Sequence, residues 1–452
     1  MLGHGISAPL VRLIAGLCLI ASASHAFAQS QTDESGYHLK AGIGYTDNVG
    51  RTPDDAQGSV LRTAGFDVTL LKKTRSLDVD VNGDVDWLDY LDHSFKSQIV
   101  GNFTGLASVS LLPQRLLWNF ADNFGQGHID PLAASTPANR ENVNYFTTGP
   151  DLLLGLTSQS HLLFSGRYSK VNYEESPADN NRVLALAGLV HDLASGSVAL
   201  DVQRESIRFS DSDPTNQDYD RDQAYAHYEV SGGRTRLAAD AGYSRLQRLG
   251  VSQNGIIARL ELSHRLSPSS ILVVATGRDN SDAANSLRLS QTLTPPSLEP
   301  QSTLQTSDPF NSTYGLLEWN FNRHRTQFGF SLTRFEEAYA RLTDQDRTRT
   351  IAGVDLTRDI ARSLHFTLRG TYEKDDFKHI VGDYRESGAS AVLRRDFGRR
   401  LGVNLEYQYF SRGSEIPGGG YNESRGWLFV TYGREAVRSN SSVPPLPIDS
   451  AL

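Results

Sequence analysis

Residues 77–91 read LDVDVNGDVDWLDYL, and this stretch decides the fold. Apolar and polar residues alternate along it, so the two kinds of side chain fall on opposite faces of an extended chain. A strand has this period of two, whereas a helix would scatter the polar side chains around its axis. The stretch therefore predicts a β-strand with one polar face. The polar positions are Asp78, Asp80, Asn82, Asp84 and Asp86.

The same alternation recurs from Tyr37 to Tyr432, in twenty segments. The links after even-numbered segments have three to five residues, whereas most other links are longer, and 280–311 has 32. Short turns at one end and long loops at the other are typical of outer-membrane barrels with both termini in the periplasm. We therefore predict an all-β fold, a transmembrane up-and-down antiparallel β-barrel of about 20 strands (18–20) with short periplasmic turns and long extracellular loops.

Lipid requires such a sheet to close, because an open edge would leave backbone N–H and C=O groups without partners. The alternative is a soluble all-β protein. Sandwiches also alternate, but they rarely reach twenty long strands whose connections are sorted by length.

The N-terminus predicts export. The apolar run LIAGLCLI at 13–20 follows Arg12 and precedes the small-x-small sequence Ala26-Phe27-Ala28, which is typical of a signal peptide cleaved after Ala28. Later apolar runs fall far short of the roughly 20 residues that a spanning helix needs. We expect a signal peptide at 1–28, a short periplasmic segment at 29–36, the barrel at 37–432, a polar periplasmic tail at 433–452, and a location in the bacterial outer membrane.

Composition excludes several functions. The formal charge of -8 argues against nucleic acid as a partner, because phosphate binding needs a basic surface. The only cysteine, Cys18, lies in the predicted signal peptide, so the exported chain has no thiol chemistry. We expect no cofactor, and we expect outer-membrane lipid and lipopolysaccharide as partners.

The polar face of each strand lines the lumen in this interpretation, and a mixed polar lining suits both a hydrated pore and hydroxyl-rich sugars. Cross-strand ion pairs that only stabilise the barrel explain the same residues equally well. The pore-lining candidates are Asp78, Asp80, Asn82, Asp84, Asp86, Lys96, Gln98, Arg259, Glu261, Arg369, Glu373 and Glu406. Further inward candidates include Asp201, Gln203, Glu205, Arg347, Arg349, Asp355, His365, Asn404 and Gln408.

Two stretches carry a family resemblance. Residues 121–156 read ADNFGQGHIDPLAASTPANRENVNYFTTGPDLLLGL, and GYTDNV at 44–49 precedes a strand pair that ends in WLDY at 87–90. Together they resemble the outer-membrane β-barrel families that are associated with exopolysaccharide and exosortase systems, known as β-barrel porin 2 or EpsL-like. The resemblance implies an outer-membrane location, a role in polysaccharide secretion, and a polysaccharide and periplasmic export components as partners.

Catalysis and metal binding are less well supported by the sequence. His93, His128 and His379 lie near carboxylates in polar stretches, but sequence proximity does not make a triad, so we expect no enzyme. Five aspartates in 210–222 favour calcium by ligand type, yet the stretch lacks the glutamate that an EF-hand needs at its twelfth position. An ordinary charged loop is the simpler interpretation, and we expect no metal.

The sequence favours a conduit or scaffold for export of a secreted polysaccharide. A general diffusion porin and a structural or adhesin barrel are the alternatives. A connection as long as 280–311 is either functional or disordered in most proteins, and its leucines would be poorly placed in water. We therefore predict that it folds into the barrel mouth and narrows the pore.

Overall fold

The computed structural model of the protein describes residues 32–210, 216–293, 301–304 and 306–434. Its strands are β1 (Thr32–Thr46), β2 (Ser59–Lys73), β3 (Leu77–Tyr90), β4 (Gln98–Leu112), β5 (Leu116–His128), β6 (Arg140–Gly155), β7 (Ser160–Tyr173), β8 (Asn180–Leu193), β9 (Gly196–Phe209), β10 (Tyr219–Ser231), β11 (Thr235–Arg248), β12 (Val251–Ser267), β13 (Ser270–Ser281), β14 (Gln301–Leu304), β15 (Phe310–Arg323), β16 (Thr326–Tyr339), β17 (Arg347–Ala361), β18 (Leu364–Phe377), β19 (Tyr384–Phe397), β20 (Leu401–Ser414) and β21 (Tyr421–Arg434). The helix α1 covers Ala283–Leu293, and single 3₁₀ turns cover Pro137–Asn139 and Thr343–Gln345.

All strands except β14 form a closed antiparallel barrel of twenty strands. Each long strand pairs with its neighbours in the chain, and β13 pairs with β15. The barrel closes where β1 pairs with β21, for example through Leu39 opposite Tyr432 and Ile43 opposite Leu428. Closure gives every strand two neighbours, so the sheet has no open edge. The predicted fold class and strand number are confirmed.

The two ends of the barrel differ in the length of the connections between strands. Nine turns of two to four residues lie at one end, which we call the turn end, and both chain termini of the barrel lie there. The longer connections lie at the other end, the loop end. One loop-end connection is short: Leu249 and Gly250, with φ of 48° and 78°, join β11 to β12. Two consecutive positive φ values are typical of a tight hairpin turn.

The two faces of the barrel wall differ as the alternation predicts. Large apolar side chains such as Leu39, Ile43 and Leu405 lie exposed on the outward face, with 57%, 53% and 59% of their surface accessible. The polar residues that alternate with them point inward. An apolar outer band around a polar interior is the arrangement of a barrel that lipid surrounds.

The boundaries of the barrel are wider than the sequence predicts. β1 begins at Thr32, because the polar stretch before Tyr37 continues the pairing with β2 as far as Lys73, and β21 ends at Arg434. The predicted signal peptide at 1–28 and all but two residues of the predicted tail at 433–452 lie outside the described residues. Within those described, no helix has the length and apolar character needed to cross a membrane.

Candidate functional site in the barrel lumen

The longest connection enters the lumen, as predicted, and the part that the structure describes is not a loop without secondary structure. Ala284 and Leu287 of α1 pack against a buried inward cluster on β6 and β7. Leu289 packs against a second inward cluster, on β13, β15, β16 and β17. The helix therefore contacts two separate parts of the barrel wall. The wall residues are Val143, Tyr145, Val171 and Tyr173 in the first cluster and Ala275, Tyr314, Leu316, Phe335 and Ile351 in the second.

A buried carboxylate fixes the start of α1. Asp282 accepts hydrogen bonds from Nη1 and Nη2 of Arg182 at 2.9 and 3.0 Å, and from the Tyr219 hydroxyl at 2.9 Å. It also accepts one from the Asn285 backbone N–H at 3.0 Å, which is the N-cap bond of the helix. Burial alone would raise the pKa of Asp282, but the Arg182 guanidinium outweighs it and holds the pKa well below its ordinary value.

The returning part of the connection reaches a different wall. Gln301 and Leu304 of β14 pair in parallel with Gly127 and His128 of β5. Because β5 lies eight long strands before β13 in the barrel, the segment crosses from one side of the lumen to another before it enters β15.

Asp308 anchors the chain just before β15. It accepts hydrogen bonds from Arg248 at 2.6 Å and from the backbone N–H groups of Arg341 and Leu342 at 2.8 and 3.0 Å. The connection is thus tied to the wall by an arginine–carboxylate pair at each end, Arg182–Asp282 and Arg248–Asp308.

Two further connections fold inward at the loop end. Arg51, in 47–58, has φ of 52° and donates hydrogen bonds to the Ser135 carbonyl and to Glu423, both at 2.8 Å. Arg412 donates to two backbone carbonyls of 129–139. A non-glycine residue with positive φ is uncommon, and here that backbone directs a side chain into a buried pair. The loop end of the lumen is therefore filled by several connections that are bonded to one another.

We call the half of the lumen nearer the loop end the loop-side half and the other the turn-side half. Several charged side chains in the loop-side half are buried in ion pairs. Arg347 and Glu337, 2.8 Å apart, each have 1% of the side chain exposed. Taking a charge out of water costs several kcal/mol, and a close partner with further hydrogen bonds is needed to offset that cost. The other buried pairs here are Arg51–Glu423, Arg182–Asp282, Arg221–Glu205 and Arg248–Asp308.

The wall formed by β1–β3 carries charged side chains that are exposed to the lumen, whereas Asp240 and Glu261 in the turn-side half are buried. Lys40 of β1 contacts Asp67 at 3.0 Å and Asp86 at 2.9 Å and also contacts Asp84, so these carboxylates share one face of the sheet. The Asp84 side chain is 55% exposed although it points into the barrel. We call this row on β3 the aspartate row: Asp78, Asp80, Asn82, Asp84 and Asp86.

Most other pore-lining candidates also point inward. Arg259 contacts Asp240 at 3.1 Å and also Asp279, and Glu261 is fully buried. Arg369 lies opposite Asp355 and is exposed to the lumen. The remaining inward candidates are Gln98, whose side chain donates to the Pro137 carbonyl, Glu373 and Glu406.

Lys96 is the exception. It lies in the connection 91–97, outside β4, and is exposed, so the prediction that places it on a strand beside Gln98 is wrong. The residues before Gln98 are polar and alternate by chance, and nothing in the sequence marks where pairing with β3 stops.

Sequence reasoning missed several residues that hold the lumen together. The only signal for Arg182, Glu337 and Glu423 was their place within predicted strands, because the inward face of each strand also carries apolar residues such as Leu186, Phe335 and Trp427. No such signal exists for Arg51 and Asp282, which lie in connections and meet partners far away in the chain.

The histidines and the acidic loop have ordinary surroundings. His93 and His379 are exposed, with His379 3.5 Å from Asp346, and His128 is buried at the end of β5. Asp220 pairs with Arg204 and Arg208 on the outward face. Of the acidic loop, 211–215 lies outside the described residues, and elsewhere in those ranges no cluster of three or more His, Cys, Asp or Glu suits a metal ion.

The closed barrel, its apolar outer face and its polar lumen define a porin-type β-barrel, a fold of bacterial outer-membrane proteins. Residues 311–434, which run from β15 to β21, match the family described as "Putative beta-barrel porin 2". The resemblance to that family is thereby confirmed over these seven strands.

Solved structures that resemble the chain include a siderophore receptor, a ferric enterobactin receptor and OccK2. The siderophore receptor PirA of Pseudomonas aeruginosa has a TM-score of 0.42 at 12% identity, covering 90% of this chain and 81% of that one. A mutant of the ferric enterobactin receptor PfeA, from the same species, scores 0.45 at 10% identity, covering 88% and 80%. OccK2 of the same species, in complex with glucuronate, scores 0.37 at 9% identity, covering 90% and 99%. All three TM-scores lie below 0.5, so no property of these proteins is transferred to this chain. No curated protein matches it.

Proposed function

We propose that the protein is an outer-membrane channel that serves as a conduit for a secreted polysaccharide and that is narrowed at rest by the connection 282–309. The observation that carries this proposal is the asymmetry of the lumen. Along β2 and β3 the turn-side half exposes charged side chains to the lumen, whereas inward connections fill the loop-side half.

The asymmetry supports a direction of transport. In outer-membrane barrels the short turns and both termini face the periplasm. In that orientation the exposed charged face of β2 and β3 lies nearer the periplasm, so a polymer delivered from inside meets that face first and the inward connections last.

The lining supports a polar, hydroxyl-rich substrate. Exposed carboxylates and amides such as Asp84 and Asn82 offer hydrogen-bond acceptors and donors to sugar hydroxyls. A barrel of about 20 strands lies between the 16–18 strands of open porins and the 22 strands of plugged transporters, so its lumen is wide enough for a hydrated chain.

The connection 282–309 also suits a conduit. It is tied to the wall by the pairs Arg182–Asp282 and Arg248–Asp308 and by the packing of α1. Breaking those contacts would release this connection without breaking any pairing between the twenty strands of the barrel.

Deletion of the gene tests the function. We expect polymer to accumulate in the periplasm and to be lost from the surface, and the full-length gene to restore it. If surface polymer is normal and uptake of small solutes falls instead, the protein is a general diffusion porin. If neither changes, it is a structural or adhesin barrel.

A further inference from the structure

A basic patch lies on the outward face of the barrel, on the loop-side half of β16–β19. Directly opposite positions on neighbouring strands place Arg334 beside Thr350, Thr350 beside Lys374, and Lys374 beside Arg385. Directly opposite residues have Cβ atoms about 5 Å apart, so three cations lie within about 15 Å along one row. We call these residues the cation row.

The cation row is available to a ligand. Arg334 and Arg385 are exposed, and within the described residues neither makes a hydrogen bond or ion pair with another side chain. Lys374 is half-buried and pairs with Asp376 at 2.5 Å. The glycines that flank the row, Gly315 and Gly413, have open space where a side chain would stand.

The surroundings of the row add further groups for an anion. Two residues nearer the loop end on the same face of β16, Glu336 lies opposite Thr313 and Thr348. Lys378 forms an ion pair with this glutamate. Arg278 lies opposite Thr313 on the other side. Five cations thus face two carboxylates, Glu336 and Asp376, and hydroxyl groups lie between them.

The outward face next to the row, toward the turn end, is apolar. Leu317, Leu332, Ala352 and Tyr372 occupy directly opposite positions on β15–β18. The two leucines and the tyrosine are each 39% exposed. Cations and hydroxyls at the rim and an apolar band beneath match an amphiphile that carries an anionic sugar headgroup on acyl chains.

The ion pairs on the loop-side outward face around β9 and β10 show no such excess of positive charge. On β9 and β10, Arg204 and Arg208 are paired with Asp218, Asp220 and Asp222. The excess of positive charge on β16–β19 is therefore a local feature and does not follow from the overall composition, which is acidic.

We infer that the cation row binds the phosphorylated disaccharide headgroup of a glycolipid in the outer leaflet, with the acyl chains against the apolar row. This inference rests on the outer-membrane location in the proposed function, but it needs no transport through the lumen. Surface lysines and arginines attract anionic headgroups, and phosphate accepts hydrogen bonds from guanidinium groups in pairs.

Binding of lipid A tests the inference. The full-length protein in non-ionic detergent is titrated with bisphosphorylated lipid A, and bound lipid is counted by native mass spectrometry. The test variant is Arg334→Gln/Lys374→Gln/Arg385→Gln. The matched control, Arg325→Gln/Arg358→Gln/Arg395→Gln, removes three cations from the turn end of the same group of strands.

We expect the test variant to bind lipid A about 100-fold more weakly, since each surface cation contributes roughly fivefold toward an anionic headgroup. The control should bind as the native protein does, and dephosphorylated lipid A should bind all three proteins equally weakly. Equal binding by test and control variants, or equal binding of the two lipids to the native protein, would overturn the inference.

Planar-bilayer conductance separates this inference from the proposed function. The cation row lies outside the lumen, so the test variant should conduct as the native protein does. Heat-modifiable gel mobility of each variant checks that the barrel has formed.

Discussion

The two halves of the lumen use the same barrel wall and the same kinds of charged side chain, but one ion pair from each half shows a large difference in exposure. In the loop-side half, Arg347 and Glu337 each have 1% of the side chain exposed. In the turn-side half, Lys73 and Asp78 are also paired, at 2.8 Å, yet they are 64% and 44% exposed. Strand alternation places both pairs inside the barrel, and packing by neighbouring side chains and connections decides which pair is buried.

The largest expected effect is on the free energy of unfolding, and it distinguishes these two ion pairs. Glu337→Gln leaves Arg347 buried with only Asp375, at 3.6 Å, and we expect the free energy of unfolding to fall by about 3–5 kcal/mol. Asp78→Asn breaks a hydrated pair and should cost less than about 1 kcal/mol. Urea unfolding of both variants in the same detergent measures the difference. Similar losses in the two variants would remove the distinction between the halves.

A smaller loss is expected when α1 loses its buried anchor. Leu287 is 1% exposed, and Leu287→Ala should lower the free energy of unfolding by about 2–3 kcal/mol through lost burial and a cavity. Leu342→Ala, at an exposed position in the connection 340–346, is the matched control and should stay within about 0.5 kcal/mol of the native protein. A loss of the same size at Leu342 would show that the helix is not specifically packed.

Strands could be predicted from the sequence because apolar and polar residues alternate with the same period of two that turns successive side chains to opposite faces of the wall. The alternating stretch 77–91 coincides with β3, Leu77–Tyr90, apart from its last residue. Contacts between connections were not readable. Arg182 and Asp282 are one hundred positions apart, and α1 forms in a stretch whose apolar residues gain partners only from strands far away in the chain.

The aspartate row should set ion selectivity in the turn-side half. Two like charges near a permeating ion in water each contribute on the order of 1 kcal/mol, so Asp80→Asn/Asp84→Asn should lower the cation-over-anion permeability ratio by about fivefold or more. The control is Asp89→Asn, because Asp89 pairs with Arg62 on the outward face. Reversal potentials across a salt gradient measure the ratio. If the control changes selectivity as strongly, the row does not face the conduction path.

The smallest effect is an expected absence of pH response. The pKa of Asp282 is lowered in the folded protein, so its contribution to docking of α1 is fully present above about pH 4 and is lost as pH falls below that value. Native conductance should therefore be the same at pH 8 and pH 5. In Arg182→Gln burial dominates and raises the pKa of Asp282, so conductance should rise as pH falls from 8 to 5. The reverse pattern would contradict this assignment.

Single-channel conductance in planar bilayers tests most directly whether the connection 282–309 narrows the lumen. Residues 284–307 are replaced by a short Gly-Ser link in one variant, and the outer connection 378–383 is replaced by a Gly-Ser link of equal length in the control. We predict that the first replacement raises conductance severalfold, because it removes α1 from between two parts of the wall, and that the control conducts as the native protein does. Unchanged conductance in the first variant would contradict the account.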